Sequence, residues 1–316
     1  MTSSTARRRD PAWYTPSDLP AEITAFAGSV EGGLDVGAPG KIGLLELKLA
    51  AYDGVTRVEK HYQRAPLHVY RPVYLDPRLP GMAFVFLQQS GDGLVQGDRY
   101  RIDIDCAAGS TAHITTQAAT KVFAARQNFV TQLTNLRAGA GAVLEYLPDP
   151  VVPFRGSRLF QRTCVVAAPG STVVLGDVLL PGRVAHDEAH VYDLYWAETE
   201  ARRPDGTLLF SDMVRMHPAA GEDPRSIGFL GGHDVLATLY VVTAQVTAGS
   251  LVSVLRSALA CCPSVLAGAT ELPNGCGVAA RFLGTSSAQV QAALRAAWSA
   301  VRVELLGAPA PDLRKG

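Results

Sequence analysis

From Lys41 onward the chain alternates apolar and polar residues in short runs. Leu45, Leu47 and Leu49 are interleaved with Glu46 and Lys48, and Tyr100, Ile102 and Ile104 with Arg101, Asp103 and Asp105. A period of two sends successive side chains to opposite faces, so each run predicts a strand with one buried face. Ala83 to Leu87 and Val165 to Val166 are apolar throughout and bounded by turn residues, as buried strand segments are. Strands at this spacing, with no helical pattern between them, predict a mainly β fold: a sandwich-like, barrel or stacked arrangement of many strands.

The period changes late in the chain. With Ser250 as its cap, a helix would place Leu251, Val254, Leu255, Ala258 and Cys262 on one face and end at Pro263. Ser286 followed by Gln289 is a capping box, and Val290, Ala293, Leu294, Ala297, Val301 and Leu305 recur at helical spacing until Gly307. Two α-helices are therefore expected in the C-terminal third. Residues 1–40, with Pro11, Pro16, Pro20 and Pro39, predict a loosely ordered extension, and residues 307–316 a frayed tail. No fixed-period repeat or composition break interrupts residues 41–306, which predicts a single β-rich domain.

Composition changes the picture in three ways. Lys plus Arg and Asp plus Glu both number 29, so the chain lacks the basic footprint of a nucleic-acid binder. Charged residues make up 18% and apolar ones 47%, which points to surface reserved for protein contact. Glycine (30) and proline (20) exceed their usual share and favour turns between short strands. Arg7, Arg8 and Arg9 lead into Asp10 and Pro11 rather than an apolar run, and no apolar stretch is long enough to span a bilayer. The expectation is a cytoplasmic protein without a membrane partner. Five cysteines without CxxC spacing read as buried thiols rather than a disulfide framework or zinc site.

Four segments carry candidate chemistry. Gly91 to Gly97 reads GxGxxxG, one residue too long for a dinucleotide fingerprint, and predicts a glycine-rich turn with Asp98 at its exit. His186, Glu188 and His190 would share one face of a strand, an imidazole and carboxylate set suited to a first-row metal; a polar turn after Pro181 and Gly182 is the alternative. Ile114 to Lys121 is a β-branched run with Gln117 and Lys121 as its long polar members. Glu145 lies inside an apolar strand before Pro148 and Pro150, so it either lines a wet cavity or makes a structural pair.

In order and wording these segments resemble the urease accessory protein D family, also called UreH. The matching stretches are Gly93 to Arg99, Thr115 to Val122, Leu144 to Pro148 with Pro150 and Pro153-Phe154, and Gly182-Arg183 with Glu188; Pro66-Leu67 and Arg71-Pro72 also fit. The resemblance covers about Gly43 to Phe210 well and the last third loosely. It implies a non-catalytic maturation chaperone, a mainly β fold with a stacked β-helix-like arrangement of many strands and two α-helices, and a scaffold that joins accessory proteins F and G on apo-urease. It also implies an internal tunnel that conducts nickel in transit, with no stably bound cofactor, and it allows a dimer of such complexes. Asp98, Glu145 and Glu188 are the matched carboxylates expected on the conduit, with His186 as helper. Asp92, Asp149 and Asp187 stand where the family more usually has Gly, Gln and Gly, and Phe123 replaces a commoner Tyr. Two other readings are a metal-dependent enzyme using His186, Glu188 and His190, and a plain protein-binding β module.

Overall fold

In the computed structural model, which describes residues 4–27 and 40–315, the alternating runs become strands. In chain order these are β1 (Ile42–Tyr52), β2 (Val55–Arg64), β3 (Leu67–Val69), β4 (Ala83–Gln89), β5 (Arg99–Cys106), β6 (Thr111–Thr116) and β7 (Thr120–Val122). Next come β8 (Val130–Ala138), β9 (Val143–Tyr146), β10 (Val151–Pro153), β11 (Arg158–Ala167), β12 (Thr172–Leu179), β13 (Gly182–Arg183) and β14 (Glu188–Ala189). The last five are β15 (Leu194–Arg202), β16 (Leu208–Met216), β17 (Val235–Val242), β18 (Leu266–Glu271) and β19 (Gly277–Gly284).

The chain winds between two sheets. One has the order β16-β15-β11-β8-β5-β1-β2, the other β18-β19-β17-β12-β9-β6-β4-β3. From β4 to β15 successive long strands alternate between the sheets, and each lies parallel to its predecessor in its own sheet. This is the stacked, β-helix-like arrangement. Antiparallel strands finish it: β2 beside β1 at one end, and β16, β17, β19 and β18 at the other.

Three apolar layers hold the winding together. Between the sheets lie Leu45, Leu47, Val85, Ile104, Ile114, Leu144 and Val173. After two single-turn helices near the start, α1 (Ser4–Arg7) and α2 (Ala21–Thr24), helices α3 (Ala248–Leu259) and α4 (Ser287–Leu306) cover the outer face of the second sheet, so β9 is buried on both faces. Ser286 caps α4 as predicted, and Gly307 at φ +68 ends it. In α3 the cap is Thr247 rather than Ser250, and the buried stripe is Leu251, Val252, Leu255 and Leu259. The stripe is rotated from the predicted one because the helix packs against both α4 and the sheet, and Cys262 falls in the turn beyond it. Among the described residues, no helix is long and apolar enough to cross a membrane.

The third layer involves residues read from the sequence as a loosely ordered extension. Ile23, with Leu19 and Phe26 beside it, packs on Leu133, Phe160, Leu194 and Trp196 of the first sheet's outer face. Arg101 stacks on Trp13 and Arg158 on Phe26, so residues 4–27 are held by aromatic contacts that composition does not show. Residues 28–39 of that expected extension lie outside the described residues. At the other end, Ala308 is buried and Lys315 reaches Asp149, so the stretch read as a tail docks on the second sheet. Cys106 and Cys276 are buried as expected of free thiols, whereas Cys261 is exposed.

Candidate functional site

Strand parity decides which side chains face the space between the sheets. On β8, Val130, Gln132, Thr134, Leu136 and Ala138 point inward, and two of these five are polar. The register sets Gln132 beside Tyr100 on one side and Gln161 on the other, and sets Thr134 beside Thr163 and Thr163 beside Thr199. With neighbouring strands about 4.8 Å apart, the three threonines form a ladder roughly 10 Å long that crosses the strands. The second sheet contributes Gln89, Thr116, Tyr146, Asp177 and Tyr240. Together these side chains line a cavity of about 480 Å³, room for on the order of fifteen waters.

The cavity has a built entrance and a carboxylate deep inside. Gly91, Asp92, Gly93, Gln117, Lys121 and Asp149 line its mouth. Gly93 is required there, since a Cβ would stand 2.4 Å from the Lys121 carbonyl oxygen. Asp149 accepts from Thr116 Oγ1 at 3.0 Å and from Lys315 Nζ at 2.8 Å. Inside, Asp177 accepts from Tyr195 OH at 3.1 Å and Gln161 Nε2 at 3.2 Å. Burial raises its carboxyl above the usual range, against those two hydrogen bonds.

The four residues expected on the conduit are not brought together. Asp98 is buried and accepts the Lys41 N–H at 2.9 Å and the Val95 N–H at 3.0 Å, and burial raises its pKa. It lines a recess of about 250 Å³ that shares Gly91, Asp92, Gly93 and Tyr100 with the cavity mouth. Glu145 points the other way: Tyr146 faces the cavity, so its neighbour faces outward beneath α4. There Glu145 Oε2 lies 2.8 Å from His113 Nδ1, and Arg302 Nη1 donates to both carboxylate oxygens at 2.9 Å. Arg302 also pairs with Asp76, and the His113 ring lies between Phe84 and Trp298. Of the two readings left open for Glu145, this is the structural pair.

The third carboxylate, Glu188, accepts from Arg183 Nε at 2.8 Å and Nη2 at 2.7 Å, and this fork brings its pKa down to about 2. His186 is exposed at the end of a single 3₁₀ turn. Asp187 and His190 adopt left-handed conformations (φ +54 and +56), which break the strand that would have aligned His186, Glu188 and His190. His190 Nε2 instead lies 3.1 Å from Asp234 Oδ1. Among the described residues, no group of three His, Cys, Asp or Glu side chains is placed to hold a metal. The one-face ligand set expected of this segment is therefore not formed.

Sequence reading missed Gln132, Thr134, Gln161, Thr163, Asp177 and Thr199. The available signal was polar residues at the parity of Val130 and Leu136, but Leu133 on the opposite parity is also buried. With both faces covered, alternation alone does not say which one is inner.

Comparison with known proteins identifies the family. The family model described as UreD urease accessory protein matches residues 41–315. A urease accessory protein UreD 2 of Streptomyces griseus subsp. griseus is 43% identical over 296 residues, covering 92% of this chain and 99% of the relative. The urease accessory protein UreD of Haloarcula marismortui is 41% identical over 281 residues, covering 89% and 92%. That of Cenarchaeum symbiosum is 33% identical over 284 residues, covering 90% and 99%. The chain belongs to the UreD family of urease accessory proteins, with a role in urease maturation.

Proposed function

We propose that this chain is a non-catalytic scaffold that joins accessory proteins F and G on apo-urease and passes nickel through its interior towards the urease active site. The observation that carries the reading is the polar stripe inside an otherwise apolar winding. Amide and hydroxyl oxygens from successive strands line one continuous cavity of about 480 Å³. A conduit needs ligands strong enough to replace part of a cation's hydration and weak enough to release it. Neutral oxygens in a ladder meet that need better than a closed carboxylate or imidazole cage, which would hold the ion.

On this reading Asp98 and Asp92 belong to the entrance, Thr134, Thr163, Thr199 and Gln161 to the path, and Asp177 to its far part. Glu145 and Glu188 act indirectly, through the ion pairs that hold α4 and the β13–β14 hairpin. The low charged fraction, 18%, fits a chain that works in a complex, which on this reading assembles in the cytoplasm with its urease.

The test is co-expression with accessory protein F, size-exclusion chromatography, and nickel-dependent activation of apo-urease. The wild-type chain should co-elute with protein F and support activation. Thr163→Leu replaces the middle hydroxyl of the ladder with a bulkier apolar group; it should keep the complex and lose most activation. Full activation by Thr163→Leu and by Gln161→Leu would remove the conduit.

A further inference from the structure

We propose that Asp212, Tyr240 and Arg281 form a gate at the far end of the interior channel, an inference that rests on the conduit reading above. β16 is the last strand of the first sheet, whereas the second sheet continues past β17 into β19 and β18. The register sets Asp212 beside Thr199, one strand beyond the threonine ladder, and Arg281 beside Thr238. The channel thus reaches the margin of the first sheet at this cluster. Asp212 Oδ2 accepts from Tyr240 OH at 2.5 Å and from the Arg281 guanidinium, which ties that margin to the second sheet.

The passage narrows where the cluster stands. Behind it is the cavity of about 480 Å³, and Tyr240 lines that cavity. Between Asp177, Tyr195, Thr199, Thr238 and the Asp212 and Tyr240 side chains the remaining space is about 10 Å³, no more than one water. A hydrated divalent cation does not fit there unless Asp212 and Tyr240 move, and Arg281 holds both through its contact with Asp212. The guanidinium also occupies the carboxylate that would receive the ion, and its charge repels it. Arg281 is about half exposed, 51% by side chain, so its pair with Asp212 is weakened by solvent and opens at modest cost. Cheap opening of a contact that blocks the path is what a gate requires.

The experiment uses the full chain carrying Thr238→Cys, a position that is buried and lines the narrow chamber. A small cationic methanethiosulfonate is the probe, and labelling at residue 238 is read by peptide mass spectrometry, which separates it from the native thiols. Adding Arg281→Ala should raise the labelling rate about tenfold, and the near-isosteric Tyr240→Phe by less. In the urease activation assay without the cysteine, Arg281→Ala should raise the initial rate. Equal labelling rates with and without both substitutions overturn the gate, as does faster labelling with an unchanged activation rate. Thr163→Leu separates the two ideas: if it abolishes activation while Arg281→Ala changes nothing, the gate alone fails. Indifference of activation to both substitutions removes the conduit itself. Arg281→Gln serves if the alanine variant does not fold.

Discussion

Replacing Arg302 with methionine should cost about 3–5 kcal/mol of folding stability, although the residue lies far from the cavity. The figure follows from what the side chain leaves behind. Arg302 has no solvent exposure and donates to both Glu145 oxygens at 2.9 Å, to Asp76, and to the Pro309 carbonyl at 3.3 Å. Methionine fills much of the same volume but leaves two carboxylates buried without a cation, and His113 remains as partner to only one of them. An exposed ion pair would cost about 0.2–1 kcal/mol to remove, so burial decides the size of the effect. Urea unfolding followed by tryptophan fluorescence measures it, with Trp298 packed against the His113 ring and near the guanidinium. Adding Glu145→Gln to Arg302→Met should recover part of the loss, because it neutralises one stranded charge. A loss below about 1 kcal/mol would refute the argument, since the cluster would then behave as a solvated surface pair.

Three further outcomes are expected. Burial lowers the His113 pKa against the opposing pull of Glu145; burial raises that of Glu145, but His113 and Arg302 outweigh it and hold it low. The unfolded chain therefore binds protons that the fold excludes, on imidazole below about 6.5 and on carboxylate below about 4.3, so acidification must destabilise the fold. His113→Gln should flatten the fall in melting temperature between about pH 7 and 5; an unchanged slope would place the acid sensitivity elsewhere. Ile23→Ala empties a fully buried site and should cost about 2–4 kcal/mol, with earlier proteolysis of residues 4–27; protection equal to wild type would mean that this segment is held without its anchor. Glu188→Gln should speed amide exchange across residues 182–190 by weakening the Arg183 fork and leave the chain's own nickel affinity unchanged in calorimetry; a drop in affinity would restore Glu188 as a ligand.

Much of the winding was legible because alternation is a backbone property. Leu45, Leu47 and Leu49 face inward on β1 as their spacing requires, and Ser286 and Gly307 bound α4 as their chemistry requires. Packing of residues 4–27 was not legible, because Trp13 and Phe26 are held by Arg101 and Arg158, distant in sequence. The site was legible at its rim and hidden in its interior. Asp98 and the glycine turn announce themselves by turn chemistry, whereas Thr134, Thr163 and Thr199 are ordinary strand residues until a register aligns them. Glu145 shows the converse: a carboxylate in an apolar strand invites a ligand role, but the Tyr146 side chain one residue on occupies the inner face.

The same parity explains how one fold keeps its buried charge and its interior cavity apart. The buried ion pairs stand on the outer face of the second sheet, where Arg302 with Glu145 and Asp76, and His113 beside Glu145, fasten α4. The inner stripe is left with amides and hydroxyls, and with Asp177, whose raised pKa favours the neutral acid relative to an ordinary aspartate. Had the charges faced inward, a divalent cation entering the cavity would meet full carboxylates at low dielectric and stay. On the conduit reading, neutral oxygens about 4.8 Å apart along the ladder make each site differ little from the next, so that an ion would exchange one partial shell for another without a deep minimum. On the same reading, carboxylates stand chiefly where the ion enters or leaves, Asp92 and Asp149 at the mouth and Asp212 at the far margin, and the interior holds Asp177 alone, hydrogen-bonded by Tyr195 and Gln161.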